Sequence, residues 1–226
     1  MKRSTVLQSI LDLYAKPNYL EIGVDEGATF RELRAAKKVG VDPRFAFSVA
    51  KARKEPELAN CEFHEVPSDE FFAKRPMTAA KFDVVFIDGL HTFDQTLRDL
   101  LNAVSVLAEG GTILIDDVMP SSYAASLPSL DYSRQFWAAT NNPDGSWMGD
   151  VFRLVFFVQD YMTSFSYATV EENHGQTVLW REPRAVRADP SRVETISRIE
   201  YVDAVMGRAA FKMEPLASII PRLGKK

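Results

Sequence analysis

Short apolar runs alternate with helical patterns from residue 18 to about residue 160, and this alternation limits the fold more than any other feature of the sequence. It is typical of α/β domains in which helices cover both faces of a doubly wound, mostly parallel sheet. Two later runs flank a turn at residues 172–175 and predict a C-terminal antiparallel hairpin. We therefore expect seven strands, at residues 19–22, 39–41, 61–66, 83–87, 112–115, 165–170 and 177–180.

The chain is long enough for one well-filled core with an extension at each end. An N-terminal helix within residues 1–17 is predicted to pack on the domain, because apolar residues recur there at helical spacing: Val6, Leu7, Ile10, Leu11 and Tyr14. Residues 18–184 form the expected domain, and residues 185–226 a helical C-terminal extension. Residues 118–150 break the alternation with prolines, serines and aromatic side chains, which favours a segment covering a substrate site.

A crossover helix is predicted between the fourth and fifth strands, and it should end at Gly110 and Gly111. Its expected apolar face consists of Phe93, Leu97, Leu100, Leu101, Val104 and Leu107. Because such crossovers are right-handed, the two strands should lie side by side and end at the same edge of the sheet.

Composition excludes several classes of function. A formal charge of −4 and a pI near 5.5 provide no basic surface for a nucleic acid. No apolar run approaches the roughly 20 residues of a membrane span, so no membrane partner is expected. Cys61 is the only cysteine, which rules out an intrachain disulfide and favours a buried thiol in a cytoplasmic protein.

Polar side chains follow two neighbouring strands of the expected sheet. Asp88 and His91 come after the fourth strand, and Asp116 and Asp117 come directly after the fifth. Three carboxylates that share one crevice repel each other and take up protons unless a cation lies among them. Oxygen ligands suit a hard divalent ion, so the sequence predicts a magnesium site at Asp88, Asp116 and Asp117. Both adjacent aspartates can be ligands only if the strand has already ended, because consecutive strand residues point to opposite faces.

The segment EIGVDEG, residues 21–27, joins the first strand to a short helix. Gly23 and Gly27 allow a sharp turn and a close approach to a ligand. A dinucleotide fingerprint would need a glycine where Asp25 stands, and the acids here, including Glu21, would repel a pyrophosphate. A cationic ligand is favoured instead.

Further acidic and polar residues follow the next two strands. Asp42 ends the second strand, where a carboxylate can bind both ribose hydroxyls. Ser68 and Asp69 follow the third strand, within reach of a base edge. A positively charged nucleoside surrounded by acids indicates S-adenosylmethionine.

The segments EIGVDEG, VGVDP, SDEFF, FDVVFIDGLHTF and GGTILIDDV occur in this order between residues 18 and about 160. With them the chain resembles the class I S-adenosylmethionine-dependent methyltransferases, which have a Rossmann-like fold. Within that class it is similar to bacterial small-molecule and sugar O-methyltransferases related to macrocin O-methyltransferase and cephalosporin hydroxylase. Relatives often have Glu-Asp where this chain has Asp116 and Asp117.

The resemblance implies roles for these positions. Asp42 would bind the ribose, and Gly23 and Gly27 would form the cofactor loop, beside Glu21, Ser68, Asp69 and Asp88 as further cofactor-binding candidates. The D-x-x-H segment and the acid pair would supply metal ligands and a base, so His91 would deprotonate the acceptor hydroxyl while Asp88, Asp116 and Asp117 hold magnesium.

The acceptor and the class of activity stay open at this level. The aromatic residues of 118–150 suit a sugar or a phenolic ring, and only the resemblance favours a sugar hydroxyl of a natural product. Asp150 is expected to cap a helix or to reach the site, and His174 to be solvated. The alternatives are a nicotinamide-dependent oxidoreductase, a non-catalytic nucleoside-binding partner protein and a metal-dependent hydrolase. The C-terminal helices leave homo-oligomer formation open.

Overall fold

The computed structural model describes residues 1–76, 78–141 and 143–224, which form a three-layer α/β arrangement. The strands of its sheet are β1 (Asn18–Ile22), β2 (Lys37–Asp42), β3 (Glu62–Glu65), β4 (Phe82–Ile87), β5 (Leu107–Ile115), β6 (Ser166–Val170), β7 (Thr177–Trp180) and β8 (Met213–Glu214). The helices are α1 (Arg3–Leu11), α2 (Ala28–Glu32), α3 (Val49–Ala52), α4 (Ser68–Lys74), α5 (Phe93–Val106), α6 (Leu130–Thr140), α7 (Arg153–Tyr161), α8 (Val193–Ile196), α9 (Tyr201–Met206) and α10 (Leu216–Leu223), with a 3₁₀ turn at Arg208–Phe211.

The strand order is β3-β2-β1-β4-β5-β7-β6-β8, and only β7 runs against its neighbours. The doubly wound, mostly parallel sheet with a C-terminal antiparallel hairpin is therefore confirmed. A two-residue strand, β8, adds to the seven expected strands by pairing in parallel with β6. The C-terminal extension thus contributes a strand as well as helices, while the proposed domain limits stay a prediction.

Helices bury apolar side chains on both faces of the sheet, which explains why β1, β4 and β5 read as almost continuous apolar runs. The apolar face of α1 is buried as predicted and shares one cluster with α10. This packing places the first turn of α1 near the carboxyl edge of the parallel strands.

The boundary between α5 and β5 differs from the prediction. The helix ends at Val106, and Leu107, Gly110 and Gly111 already belong to β5. The pairing with β4 shifts register between Phe82 and Val84, so the extra residues bulge out, with Gly110 at φ 71°. Gly110 and Gly111, which were predicted to end the helix, therefore form this bulge. Leu101, which was predicted to lie on the apolar face of α5, is half exposed.

Two further predictions, on Cys61 and on membrane-spanning segments, can be compared with the structure. Cys61 precedes β3 and is only half-buried, so its thiol is less protected than predicted. Within the described residues, every helix is too short or too polar to cross a bilayer.

Candidate active site

The glycine turn after β1 is shaped by backbone contact with the end of β4. Gly23 has φ 84°, and a Cβ there would lie 2.0 Å from the carbonyl oxygen of Asp88. Only glycine allows the backbone at residue 23 to lie so close to the backbone of Asp88. Gly27, at φ 78°, is the N-cap residue of α2 and packs against Phe47, so it shapes the turn without lining the cavity beside it.

Asp42, at the end of β2, holds the same turn from the other side. Its Oδ2 accepts hydrogen bonds from the backbone N–H groups of Val24 at 2.9 Å and Asp25 at 2.8 Å. Its Oδ1 accepts one from the N–H of Arg44 at 2.8 Å. The carboxylate is therefore fixed in orientation, with one oxygen still able to accept a ribose hydroxyl.

A cavity of about 610 Å³ opens beside this turn, within the usual range for a small-molecule site. The predicted residues Glu21, Gly23, Asp42, Ser68 and Asp88 line it. The described lining is strongly acidic, and its acids are Glu21, Asp25, Glu26, Asp42, Asp88 and Asp99. Such a surface favours a cationic ligand.

The two base-edge candidates, Ser68 and Asp69, differ in their position relative to the cavity. Ser68 faces the cavity and accepts a hydrogen bond from Gln95 at 3.2 Å. Asp69, in the first turn of α4, lies outside the cavity and pairs with Arg98 at 3.3 Å. Asp99 of α5 takes its place in the lining, and burial raises its pKa. Sequence reasoning missed Asp99 because it read α5 only for its apolar face.

Glu21 lies at the inner end of the cavity and is 2% exposed. Burial raises its pKa to about 8, although a hydrogen bond from the hydroxyl of Tyr19 opposes the rise. A carboxylate with such a pKa gains from a positive ligand beside it, because the ligand favours its ionised form.

Asp116 and Asp117 reach the same point because β5 has ended. Ile115 is the last strand residue, and the N–H of Asp116 donates to the carbonyl of Ile87 at 3.0 Å. Asp117 then adopts φ 57°, which turns its side chain back toward that of Asp116. The condition for two adjacent acids to share one site is therefore met, and we call Asp88, Asp116 and Asp117 the carboxylate cluster.

The guanidinium of Arg3, from the first turn of α1, lies within the carboxylate cluster. Its Nε is 2.6 Å from Oδ2 of Asp116, its Nη1 3.0 Å from Oδ2 of Asp88, and its Nη2 3.8 Å from Oδ1 of Asp117. The cation expected among these acids is thus supplied here by an arginine. Nothing in the sequence pattern pointed to Arg3, because the packing of α1 decides where its side chain reaches.

Charge and burial both act on the cluster. Burial, together with the neighbouring carboxylates, raises the pKa of Asp116 well above its usual range despite Arg3. Burial raises the pKa of Asp117 to about 6, opposed by His91 and Arg3. The raised pKa values show that the three close carboxyl groups disfavour each other's ionised forms, and the guanidinium of Arg3 only partly offsets this.

His91 lies between two of the acids. Its Nε2 is 3.5 Å from Oδ1 of Asp88 and its Nδ1 3.3 Å from Oδ2 of Asp117. Burial alone would lower the pKa of His91, but Asp88, Asp117 and the carbonyl of Trp147 outweigh it and raise the pKa to about 9. The imidazole therefore holds a proton at neutral pH, and a positive charge bound by the same acids would oppose that.

His174 is exposed, as expected, and it also contacts Arg3 and Asp116 of this site. Its Nε2 accepts a hydrogen bond from Nε of Arg3 at 3.1 Å and lies 3.7 Å from Oδ1 of Asp116. Burial and the charge of Arg3 lower its pKa. The signal was present in the predicted topology, because β7 runs antiparallel beside β5 and Thr177 pairs with Ile115, so the preceding turn lies at the carboxyl edge.

The covering segment, residues 118–150, is attached at its C-terminal end. Oδ1 of Asp150 accepts from the N–H of Phe93 at 2.6 Å, so it caps α5 and does not enter the cavity. Trp147 stacks on His91 with ring centres 5.0 Å apart. The other aromatic candidates of the segment lie outside the cavity. Tyr123 packs against Phe136 and against Tyr201 of α9, Tyr132 is exposed, and Trp137 is partly buried.

The donor set fits a divalent cation. Among the described residues, Asp88, His91 and Asp117, and likewise Asp116, Asp117 and His174, offer ligand atoms within 4.8 Å of one another. Both carboxylate oxygens of Asp116 are buried and have no hydrogen-bond partner in the described part of the chain. The ion pair with Arg3 supplies charge to one of these oxygens without hydrogen-bond geometry, and a metal ion would ligate them directly.

Comparisons with known proteins agree with the fold. Residues 20–118 match the family model of a methyltransferase domain. No curated protein gives a significant sequence match.

Similar solved structures include the O-methyltransferase TomG of tomaymycin synthesis from Streptomyces achromogenes, in complex with S-adenosylmethionine, at 18% identity, 79% coverage of each chain and a TM-score of 0.55. A Staphylococcus aureus protein proposed to be a caffeoyl-CoA O-methyltransferase has 11% identity over 80% of this chain and 85% of its own, with a TM-score of 0.58. An S-adenosylhomocysteine-bound methyltransferase from Podospora anserina has 17% identity over 74% of this chain and 72% of its own, with a TM-score of 0.50.

These comparisons do not bear on the narrower likeness to macrocin O-methyltransferase and cephalosporin hydroxylase, which stays a prediction. The segment of residues 20–118 includes the glycine turn, Asp42 and all three acids of the cluster. Residues 20–118 therefore match a methyltransferase domain, and the chain has the Rossmann-like α/β fold of the similar methyltransferases.

Proposed function

We propose that this protein is an S-adenosylmethionine-dependent O-methyltransferase that acts on a hydroxyl of a small molecule. The observation that carries the proposal is the position of Asp88. Its backbone packs on the Gly23 turn and its side chain lines the cavity, while the same carboxylate belongs to the cluster with Arg3. Cofactor cavity and carboxylate cluster are therefore adjacent, as transfer between a bound donor and a bound acceptor requires.

The cofactor half of the site suits a positively charged nucleoside. S-adenosylmethionine supplies an electrophilic methyl group on a sulfonium. Asp42 would bind the ribose hydroxyls, Ser68 and Asp99 lie where a base edge can be bound, and Glu21 favours a cation at the inner end. Gly23 lets the backbone approach the ligand without a side chain in the way.

The acceptor half would use the carboxylate cluster and His91. Magnesium held by Asp88, Asp116 and Asp117 would lower the pKa of the acceptor hydroxyl and orient it. His91 would then accept the proton, and Trp147, stacked on its ring, fixes its orientation. Asp88 and Asp117 hold the imidazole from two sides.

A sugar hydroxyl of a natural product is the acceptor that the family resemblance favours, with a phenolic hydroxyl as the second candidate. A site of carboxylates and histidines suits a polyhydroxylated ligand, which needs many hydrogen-bond partners. The acceptor is a free small molecule in this proposal, and we place the enzyme in the cytoplasm.

The alternatives make different demands on the cavity. A nicotinamide dinucleotide would bring its pyrophosphate against Asp25 and Glu26, which line the expected phosphate position. A hydrolase would not need Asp42 and the glycine turn. A non-catalytic nucleoside-binding protein would leave His91 and the cluster without a role.

Calorimetric titration tests the cofactor directly. We expect S-adenosylmethionine and S-adenosylhomocysteine to bind and NADH not to bind. Tight NADH binding without S-adenosylmethionine binding would establish the oxidoreductase alternative.

Turnover tests the acceptor half. The protein, cofactor and magnesium would be incubated with sugar-bearing and catechol-type acceptors, and methylated products identified by mass spectrometry. His91→Gln should abolish turnover and leave the affinity for S-adenosylhomocysteine unchanged. The control His64→Gln, a change in β3 outside the cavity, should leave both turnover and affinity unchanged. Full activity of His91→Gln would remove His91 as base, and full activity after thorough chelation would remove the metal.

A further inference from the structure

We propose that Arg3 and the divalent cation compete for the same carboxylate cluster, so that release of the Arg3 side chain is required for the site to be loaded. This inference rests on the metal-assisted form of the proposed function. It adds a control element from the N-terminal helix, which the chemistry of methyl transfer does not itself require.

The contacts of Arg3 make the two occupants mutually exclusive. Its guanidinium contacts all three acids at distances between 2.6 and 3.8 Å and so fills the space between them. A metal ion bound by the same three carboxylates would stand against the guanidinium. Two like charges at such a distance repel strongly in a buried site.

The arginine is an incomplete partner for these acids. Nε of Arg3 has hydrogen-bond geometry with Nε2 of His174, not with the nearer Oδ2 of Asp116. Within the described residues, both oxygens of Asp116 are thus left without a hydrogen bond although the side chain is fully buried. Arg3 supplies a positive charge but makes no hydrogen bond to the oxygens of Asp116. A small metal ion, which takes several oxygen ligands, would bind these oxygens.

Release of Arg3 does not require α1 to unfold. The apolar face that anchors the helix begins at Val6, one turn further along the chain. The Arg3 side chain is 35% exposed, so its outer part can leave toward solvent by rotation about its own bonds. The neighbouring Lys2 lies at the surface and pairs with Glu32, away from the cluster.

A titration of wild type, Arg3→Met and Arg3→Gln with Mn²⁺, with the free ion followed by electron paramagnetic resonance, tests the competition. Lys2→Met is the matched control, since it removes an adjacent positive charge that does not contact the cluster. We expect both Arg3 variants to bind Mn²⁺ about tenfold or more tightly than wild type, because the competing state is removed. Lys2→Met should bind as wild type does.

The wild-type protein provides a second measurement that needs no substitution. Added Mn²⁺ should increase labelling of Arg3 by phenylglyoxal, measured by peptide mass spectrometry. Labelling of Arg222 on α10, which pairs with Glu214 of β8 away from the cluster, should not change.

The outcomes separate this inference from the proposed function. Equal Mn²⁺ affinity in wild type and Arg3 variants, with unchanged labelling, would overturn the competition and leave the metal site standing. No Mn²⁺ binding by any folded variant that still binds S-adenosylhomocysteine would overturn the metal site and the competition with it. Weaker Mn²⁺ binding by the Arg3 variants would also overturn the competition.

Discussion

The two halves of the site are built by different forces. Around the cofactor cavity, backbone groups fix the geometry: Gly23 packs on the carbonyl of Asp88, and Asp42 accepts three backbone N–H groups. In the carboxylate cluster, side-chain charge decides the geometry, through Arg3 and two histidines with opposite pKa shifts.

This difference predicts different behaviour. Contacts between backbone atoms have one arrangement, and a side chain that disturbs them costs folding energy. Charge contacts can be exchanged for other charges, so the cluster can accept a new cation while the turn beside it stays in place. Substitutions around the cofactor cavity should therefore impair folding or cofactor affinity. Added metal ions should offset the effect of substitutions in the carboxylate cluster.

Gly23→Ala tests the backbone half most severely. The added Cβ would lie 2.0 Å from the carbonyl oxygen of Asp88, in a residue at φ 84°. We expect a loss of about 4 kcal/mol in the free energy of unfolding, or no folded protein, measured by urea denaturation. Gly145→Ala, with no atom within 4 Å of its Cβ, should stay within about 0.5 kcal/mol of wild type. A well-folded Gly23→Ala protein would contradict the close approach.

Asp42→Asn tests whether hydrogen bonds to the carboxylate set cofactor affinity. The amide would present N–H groups to backbone N–H donors and lose an acceptor for ribose. We expect S-adenosylhomocysteine to bind about 30-fold more weakly by calorimetry, equivalent to about 2 kcal/mol. Asp69→Asn, outside the cavity, is the control and should bind as wild type does. Equal affinity of both variants would remove Asp42 from the cofactor site.

Arg3→Met should show that the second half responds to ions. Without the guanidinium, His91 is the remaining positive partner of Asp88 and Asp117, and we expect the free energy of unfolding to fall by about 2 kcal/mol in the presence of chelator. Magnesium should restore much of that loss, because a ligand that binds the folded state stabilises it. Thermal denaturation measures both effects, with Lys2→Met as the control that magnesium should not affect differently from wild type. A loss that magnesium cannot restore would indicate that Arg3 acts as a packing residue.

Glu21→Gln gives the smallest expected change in the free energy of unfolding. Glu21 lines the cofactor cavity, and its pKa is influenced by Asp88 and Arg3 of the carboxylate cluster. Glu21 has a pKa of about 8 in the folded protein against 4.5 ordinarily, so the unfolded state binds fewer protons between these values. Wild-type stability should therefore fall as pH rises from 5 to 6, by about 1 kcal/mol more than that of Glu21→Gln. Urea denaturation at both pH values measures the difference. Glu57→Gln, at an exposed position, should follow wild type, and parallel curves for all three proteins would contradict the shifted pKa.

The parts of this fold that could be predicted are those with local causes. Buried parallel strands need continuous apolar runs, and the acids that follow them meet at one edge by topology alone, so Asp88, Asp116 and Asp117 could be grouped. The bulge in β5 could not be located, because Gly110 and Gly111 satisfy the pattern of a helix end equally well.

The residues missed in the site come from elements whose placement depends on tertiary packing. His174 could have been found, since the antiparallel hairpin beside β5 brings its turn to the carboxyl edge. Arg3 could not, because the spacing of apolar residues in α1 predicts a buried face but not where the helix lies on the sheet. Asp69 lies outside the cavity for a related reason, since the first turn of α4 directs it toward Arg98.

The attachment of the covering segment at Gly149 and Asp150 limits how a substrate can enter. A Cβ at Gly149 would lie 1.6 Å from the carbonyl oxygen of His91, and Asp150 holds the N-terminus of α5. Lifting this end of the segment would break the cap and expose the backbone of His91 to water. In the proposed function, residues 149 and 150 should therefore stay in place while the acceptor enters and leaves.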